Sequence, residues 1–406
     1  MKTGNVLFAI LLVLFSQMMT TGHPPHAKES DSGRWDAVAE SLEQIRKKTG
    51  APAVVAGIFD DSGREIRVFV AGFRDAKATD PIRRTDRFRI ASVSKVFVGH
   101  AMLQLVDSGR VSLDDRLSEY LPDYPQSDQI TLRMLGNHTS GVADLIWQNW
   151  FQRQIIDSPM KVWSTEELLE ASCKTDFRGE PGGKHVYSNV NTILMAAVIE
   201  KVTGREYSDV LDETIFRRWS LSATSVRPGP LLGDGTPMLG DATLDVDKTL
   251  GGRRPADQKS PRGYRHGKPG RWLGYGDRFM DVTFAGSGWT GPAGSVVATL
   301  DDLAKAAKLV TTGCDFQPST RKALHDWIVT ESPKQQYGFH LAHRDGWMGH
   351  NGDVPGFNAA LWHHPELKRT VIALVNLSNS AKGSMPAEEV ARFLRSECQT
   401  ECSTQN

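Results

Sequence analysis

The 406-residue chain predicts an α+β fold in which a sheet is built from both ends of the chain around a mainly helical insertion. Three observations predict it. Two strand-like runs, Ala51–Phe59 and Ile66–Phe73, flank the turn Asp60-Asp61-Ser62-Gly63 near the start. Three more, Tyr337–Ala342, Gly356–His364 and Thr370–Leu377, lie near the end. Between them the apolar spacing is helical, without the regular strand–helix alternation of a doubly wound sheet.

In chain order, residues 28–34 are polar and read as a loose segment, and Trp35, Val38, Leu42 and Ile45 then recur at helical spacing over 35–49. After the first two strands, Arg89-Ile90 leads into a long helix over about 92–108. Its residues Val93, Val96, Phe97, Val98, Ala101, Met102, Leu103, Leu105 and Val106 make it apolar nearly all round, which predicts burial. Ile130–Leu135, Thr165–Cys173, Val190–Val202 and Tyr207–Trp219 read as further helices. Residues 222–285 are rich in Gly, Pro and Arg and show no clear period. A strand is predicted at Val296, then helices at Asp301–Val310 and Thr320–Val329, and a last helix at Ala387–Ser396. The domain division that follows is an α/β lobe of 28–115 and 286–406 with a helical insertion lobe of 116–285.

Composition excludes several classes. Lys+Arg and Asp+Glu number 48 each, so the net charge is zero, against the basic excess of a nucleic-acid binder. Hydrophobic residues at 39% and charged residues at 24% are ordinary globular usage, not a disordered or collagen-like chain. Lys2 precedes an apolar run, Val6–Phe15, too short for a spanning helix of about 20 residues. It reads as a signal peptide over 1–27, giving a secreted or periplasmic product without stable membrane insertion. Cys173, Cys314, Cys398 and Cys402 then fall in an oxidising compartment, where one or two structural disulfides are expected and the pairing stays open.

The chemistry points to Ser-x-x-Lys, which occurs as Ser92…Lys95, Ser158…Lys161 and Ser319…Lys322. The last two precede surface-like segments and read as helix caps. Ser92 opens the buried helix. A serine hydroxyl needs a nearby base, and a lysine is a base only when neutral. Burial disfavours the ammonium, and three residues place Lys95 one turn from Ser92 on the same face. The backbone N–H groups at the helix start suit a developing oxyanion. Read from this helix alone, capping by Ser92 and carboxylate pairing by Lys95 are an equal alternative.

Tyr-x-Asn occurs once, at Tyr187-Ser188-Asn189, and His-x-Gly once, at His350-Asn351-Gly352. With Phe88–Lys95, the helix and turn Ile130–Leu135 and His138-Thr139-Ser140-Gly141, and Pro181-Gly182-Gly183, the order resembles the penicillin-recognising serine hydrolases. That family holds class C β-lactamases, D,D-carboxypeptidases, D-aminopeptidases and esterases, and the resemblance covers about residues 35–395. It implies the β-lactamase-like fold, an antiparallel sheet flanked by helices, with the site between two lobes and no cofactor. It implies that Ser92 is acylated, and that Lys95 and Tyr187 share the proton traffic, Tyr187 as a phenolate stabilised by the lysine. Asn189 would bind the substrate amide, and the N–H groups of Ser92 and Asp353 would form the oxyanion hole. His350, Asn351, Gly352 and Asp353 line the substrate side. His350 stands where β-lactamases carry lysine, which argues against strong β-lactamase activity.

Other signals carry less. Gly286-Ser287-Gly288-Trp289-Thr290-Gly291 matches a dinucleotide loop, but Pro292-Ala293-Gly294 follows where a helix is needed. His340 and His343 are expected on opposite faces of a strand, and no metal is assigned. Residues 253–271 hold seven Arg/Lys (Arg253, Arg254, Lys259, Arg262, Arg265, Lys268, Arg271) against Asp257 and read as a solvated loop. The sequons at Asn137 and Asn376 fall in segments expected to be inside. Three readings stand: a D,D-peptidase or D-amino-acid peptidase, an esterase or transesterase on the same site, and a catalytically dead binding or assembly protein. The substrate is a small peptide, amide or ester, and cell-envelope peptides are within its scope; nucleic acid is not.

Overall fold

The computed structural model describes residues 29–158, 160–228, 261–266, 279–282 and 287–404. The expected signal segment and most of the Gly/Pro/Arg-rich stretch lie outside them. Contacts divide the chain into two compact units, residues 1–44 and 45–406. The account below concerns the second.

The elements are α1 (Glu29–Thr49), β1 (Ala53–Asp60), β2 (Glu65–Gly72), β3 (Phe88–Arg89), α2 (Ser94–Asp107), α3 (Leu132–Gly136), α4 (Asn149–Asp157), α5 (Thr165–Ser172), α6 (Asn189–Thr203) and α7 (Tyr207–Leu211). Then come β4 (Ser225–Val226), β5 (Tyr264–His266), β6 (Phe279–Asp281), β7 (Val296–Ala298), α8 (Leu300–Thr312), α9 (Pro318–Leu324), β8 (Ile328–Val329), β9 (Gln336–Tyr337), β10 (Ala342–Arg344), β11 (Trp347–Val354), β12 (Phe357–His364), β13 (Arg369–Val375) and α10 (Pro386–Thr404).

An eight-stranded sheet runs β2-β1-β13-β12-β11-β10-β9-β8, and every pair in it is antiparallel. Strands from the two ends of the chain meet inside it, one strand in from the β2 edge, where β1 pairs with β13 in the register Val54↔Val375 to Asp60↔Arg369. Strands from opposite ends must pair here because β1, β12 and β13 are apolar along most of their length and nearly all buried, so none can serve as a solvated edge. α8 and α10 pack on the central strands. α2, buried from Ser94 through Leu103, packs against α6, whose residues Val190–Ile199 are buried as well. The helix at 94–107 thus has the all-round burial its composition implies.

Two devices fix the entry to α2. β3 pairs with β7, and Ile90 N–H donates to the Val296 carbonyl at 3.0 Å. Upstream, Arg74 is held by both oxygens of Asp86 at 2.8 and 2.7 Å and by Asp80 at 2.5 Å. Asp86 is fully buried and Arg74 is 3% exposed. The pair ties the segment after β2 to the segment that carries the chain into β3.

Several elements differ from the sequence expectation. The chain is helical from Glu29, where a loose segment was expected. α4 was not expected, although Phe151 and Ile155, four apart, are its buried face. The helix expected over Tyr207–Trp219 divides into α7 and a π-turn at Asp212–Arg217. The helix expected over Thr320–Val329 begins at Pro318 and stops at Leu324, and Ile328-Val329 joins the sheet edge instead. The strand expected at Tyr337–Ala342 is interrupted at His340, which has φ +53° and bonds the Gly136 carbonyl through its own N–H at 2.8 Å. β11 was hidden by its glycines. A methyl group at Gly349 would lie 1.9 Å from the Leu361 carbonyl oxygen, so only glycine lets β12 approach. Cys173 and Cys314 are free and exposed, which corrects the expectation of disulfides through them, and Cys398 is buried in α10. Ser158 ends α4 and Ser319 lies inside α9, whose N-cap is Gln317, so neither is an N-cap. Asn376 is buried and accepts from Ala53 N–H at 2.8 Å, as expected for an unused sequon.

Removing one partner of a buried ion pair leaves the other charge unpaired. Asp86→Ala is therefore expected to destabilise the fold by about 3 kcal/mol in chemical denaturation, with a smaller loss for Asp80→Ala, whose side chain is 40% exposed.

Candidate active site

Ser92 sits in a one-turn 3-10 helix, Ala91–Val93, that runs directly into α2. Ala91 is forced to φ +50°, a conformation a non-glycine residue adopts only where its surroundings impose it. The imposing neighbour is β11. A methyl group at Gly352 would lie 2.5 Å from the Ile90 carbonyl oxygen, 2.7 Å from the Ser92 nitrogen and 2.8 Å from the Ala91 Cβ. Glycine at 352 thus lets the strand carrying Asp353 come against the backbone of Ser92, the arrangement an oxyanion hole made from those two residues requires.

Lys95 is fully buried on the first turn of α2. Its Nζ lies 3.0 Å from Ser92 Oγ, 2.7 Å from Asn189 Oδ1 and 2.9 Å from the Ala293 carbonyl oxygen. Burial pushes its pKa well below the ordinary lysine range, and the Asp144 charge pulls partly the other way. Asn189 is the first residue of α6. Capping is done by Ser188, whose hydroxyl accepts from Val190 N–H at 3.2 Å, so the Asn189 amide is left to the site.

Tyr187 lies between these groups and the pocket and is 36% exposed. Its ring stacks on His138 at 4.5 Å between centroids, and the Lys95 ammonium lies 5.1 Å from the ring centre. Desolvation of the hydroxyl pushes its pKa up, more than the hydrogen bond with Ser92 lowers it. Burial thus weighs toward the phenol rather than the expected phenolate. His138, at φ +58°, is held from behind: its Nδ1 accepts from Asn191 Nδ2 at 2.8 Å and Ser188 N–H at 3.2 Å. His340 stacks on its other side at 5.3 Å. His340 and His343 do part company as expected, since His343 stacks on Trp327 at 4.9 Å.

His350 is on β11, 4% exposed. Its Nδ1 meets its neighbour's carbonyl, that of Asn351, an acceptor, so Nδ1 carries the proton. Nε2 is then the acceptor for the Tyr337 hydroxyl at 2.9 Å. Burial, reinforced by the Lys95 charge, pushes its pKa down to about 3. His350 is thus a neutral ring with both nitrogens occupied, not a cationic anchor.

These residues open onto a cavity of about 540 Å³ lined by Ser92, Asp144, Tyr187, Asn189, His350, Asn351, Gly352 and Asp353. Every candidate but Lys95, which lies beneath Ser92, therefore faces one space. Ile146, Trp147, Trp289 and Met385 give it an apolar wall. Arg178 and Glu331 also line it. Asp353 is exposed on this cavity; crowding by protein raises its pKa, an effect that water in the open pocket weakens. Sequence reasoning missed Asp144, Tyr337 and the positioning part of His138. A carboxylate set in the apolar run Val142-Ala143-Asp144-Leu145-Ile146 was the available signal for a buried acid. Of the basic stretch, Arg262 and Arg265 are described: Arg262 is exposed and pairs with Asp281 at 2.8 Å, whereas Arg265 is buried on β5, which corrects the solvated loop expected there. Among the described residues no cluster of His, Cys, Asp or Glu is placed to hold a metal, and no helix is long and apolar enough to cross a membrane.

Comparison with known proteins places this geometry. The D-aminopeptidase of Brucella anthropi is 26% identical over 360 residues, 86% of this chain and 60% of that one. Penicillin-binding protein 4* of Bacillus subtilis is 29% identical over 157 residues, 38% of this chain and 34% of that one. The chain thus spans between a third and three fifths of the length of these curated relatives. The crystal structure of the D-amino acid amidase from Ochrobactrum anthropi SV3 complexed with L-phenylalanine superposes with a TM-score of 0.73 at 22% identity, covering 91% of this chain and 99% of the other. The Beta-lactamase family profile matches residues 38–395, nearly the whole described sheet and helix set together with every site residue, and the chain belongs to that family.

Proposed function

We propose that the protein is a serine hydrolase that cleaves amides, and short esters of like shape, of D-amino acids or D-residue peptides through an ester on Ser92. The observation that carries the substrate preference is His350. A β-lactam or D,D-peptide substrate presents a carboxylate that wants a cation beside the nucleophile. Here that position holds a buried neutral imidazole whose two nitrogens are already engaged. The D-aminopeptidase likeness points the same way.

The steps follow from the distances. Lys95 as free amine takes the Ser92 proton across 3.0 Å as Oγ attacks the substrate carbonyl carbon. The oxyanion forms against the N–H groups of Ser92 and Asp353. Tyr187, a neutral phenol hydrogen-bonded to Ser92, relays that proton to the leaving amine. The C–N bond breaks and the acyl group stays on Ser92. Water then attacks the ester carbonyl, releasing the acid and restoring the serine hydroxyl. Asn189 presents its amide to the substrate beside the apolar wall, which suits an aliphatic or aromatic side chain. A second reading, a D,D-carboxypeptidase acting on cell-envelope peptides, is favoured by Arg178, an exposed cation on the cavity lining. Export follows from the N-terminal pattern of Lys2 and Val6–Phe15, so the site would work outside the cytoplasm.

An activated fluorophosphonate is expected to add to Ser92, read by intact mass. Ser92→Ala and Lys95→Arg should abolish the adduct, since a guanidinium is no base, and Tyr187→Phe, which lacks the proton for the leaving amine, should slow amide turnover by about 100-fold with an unchanged Tm. The rate should rise with pH along a single limb below the ordinary lysine value of about 10.4, because the neutral amine is the active form and burial favours it. Labelling that survives Ser92→Ala would remove the nucleophile from this reading. For substrate choice, D-alanine p-nitroanilide should turn over and a D-alanyl-D-alanine-terminated peptide should not, while the reverse supports the carboxypeptidase. His350→Lys should restore affinity for the carboxylate substrate, measured as a fall in KM or as penicillin acylation.

A further inference from the structure

We propose that Asp144 is a positioning residue that aims the base: its carboxylate turns the Asn189 side-chain oxygen toward Lys95 and faces the lysine with a buried negative charge. The inference rests on the acyl-enzyme reading of Ser92. One oxygen of Asp144, Oδ2, accepts both from the backbone N–H of Asn189 at 3.1 Å and from its Nδ2 at 2.9 Å. The other oxygen accepts from Ile146 N–H at 3.2 Å, which fixes the carboxylate plane. Turning the Asn189 amide over would set its Oδ1 against Asp144 Oδ2, acceptor against acceptor. The amide therefore has one orientation, and in it Oδ1 lies 2.7 Å from Lys95 Nζ.

The consequence is for the lysine lone pair. A neutral amine has two N–H donors and one lone pair. Two of the three neighbours of Nζ, Asn189 Oδ1 and the Ala293 carbonyl, can only accept. They take the two hydrogens, and the lone pair is left pointing at Ser92 Oγ, whose proton it must remove. Asp144 thus acts through Asn189 and touches no reacting atom. Its side of the site is also the acidic one. The groups whose charges reach Lys95 are Asp144, His138, His340 and His350, with Tyr187 beside them. Burial keeps the three histidines and the phenol neutral; it raises the Asp144 pKa as well, but there the N–H groups of Asn189 and Ile146 and the Lys95 charge work against it and favour the carboxylate.

The test measures fluorophosphonate labelling of Ser92 against pH in the full-length protein, with circular dichroism as a check on folding. Labelling does not depend on which substrate the enzyme prefers. Asp144→Ala frees the Asn189 amide and is expected to slow labelling by about 100-fold. Asp144→Asn keeps the shape and an acceptor oxygen but removes the charge. With no anion to favour the ammonium, the limb should move to lower pH in this variant. Wild-type rate in Asp144→Ala and a wild-type limb in Asp144→Asn, with both variants folded, would overturn the proposal. Should Asp144→Ala not fold, the Asp144→Asn limb alone decides: moved supports it, unmoved rejects it. A wild-type protein that takes no label overturns both this inference and the function proposed above, whereas label without turnover of D-amides rejects only the substrate assignment.

Discussion

The burial of one lysine is the constraint on which this site depends. Lys95 has no solvent-exposed surface, and a buried ammonium is costly unless it is compensated. The protein answers in two ways. It surrounds Nζ with oxygen atoms from three separate elements, the 3-10 turn at Ser92, the start of α6 and the turn ending at Ala293. It also lets desolvation shift the lysine toward the neutral amine. The same physical fact therefore explains a structural need, the gathering of those elements, and a chemical capacity, a base one turn from a hydroxyl.

A second constraint is steric. β11 reaches the backbone of Ser92 only because residue 352 has no side chain, and the chain at Ala91 bends into the left-handed region to accept it. The end of that strand then runs along the cavity, where His350, Asn351, Gly352 and Asp353 all line it. The energy for this crowding comes from elsewhere: the central strands β1, β12 and β13, the helices α8 and α10, and the Arg74–Asp86 pair before β3. A rigid sheet holds a strained turn in place.

The aromatic wall shows how neutrality is built. His138, His340 and His350 are each buried, and each has its pKa lowered first by desolvation. Stacking Tyr187 against His138 holds the phenol over the nucleophile without adding charge. A lysine at 350 would compete with Lys95 for the same field, whereas a neutral imidazole bound to Tyr337 leaves it undisturbed.

Local pattern was enough for much of this protein. The strands at both ends, the buried helix behind Ser92, and the order Ser92-x-x-Lys95, Tyr187-x-Asn189, His350-x-Gly352 are readable because periodicity and short motifs are properties of neighbouring residues. β11 was not, because its glycines and polar residues have no strand period of their own; they are there for what approaches them from β12 and from Ile90–Ser92. The same holds for charge state. Whether His350 is a cation, whether Tyr187 is a phenol, and that Asp144 lies behind Asn189 are decided by burial and by partners distant in the chain. Sequence by itself determined which groups are available and in what order; tertiary structure alone decided their protonation and aim, because desolvation and hydrogen-bond geometry depend on what surrounds a group in space.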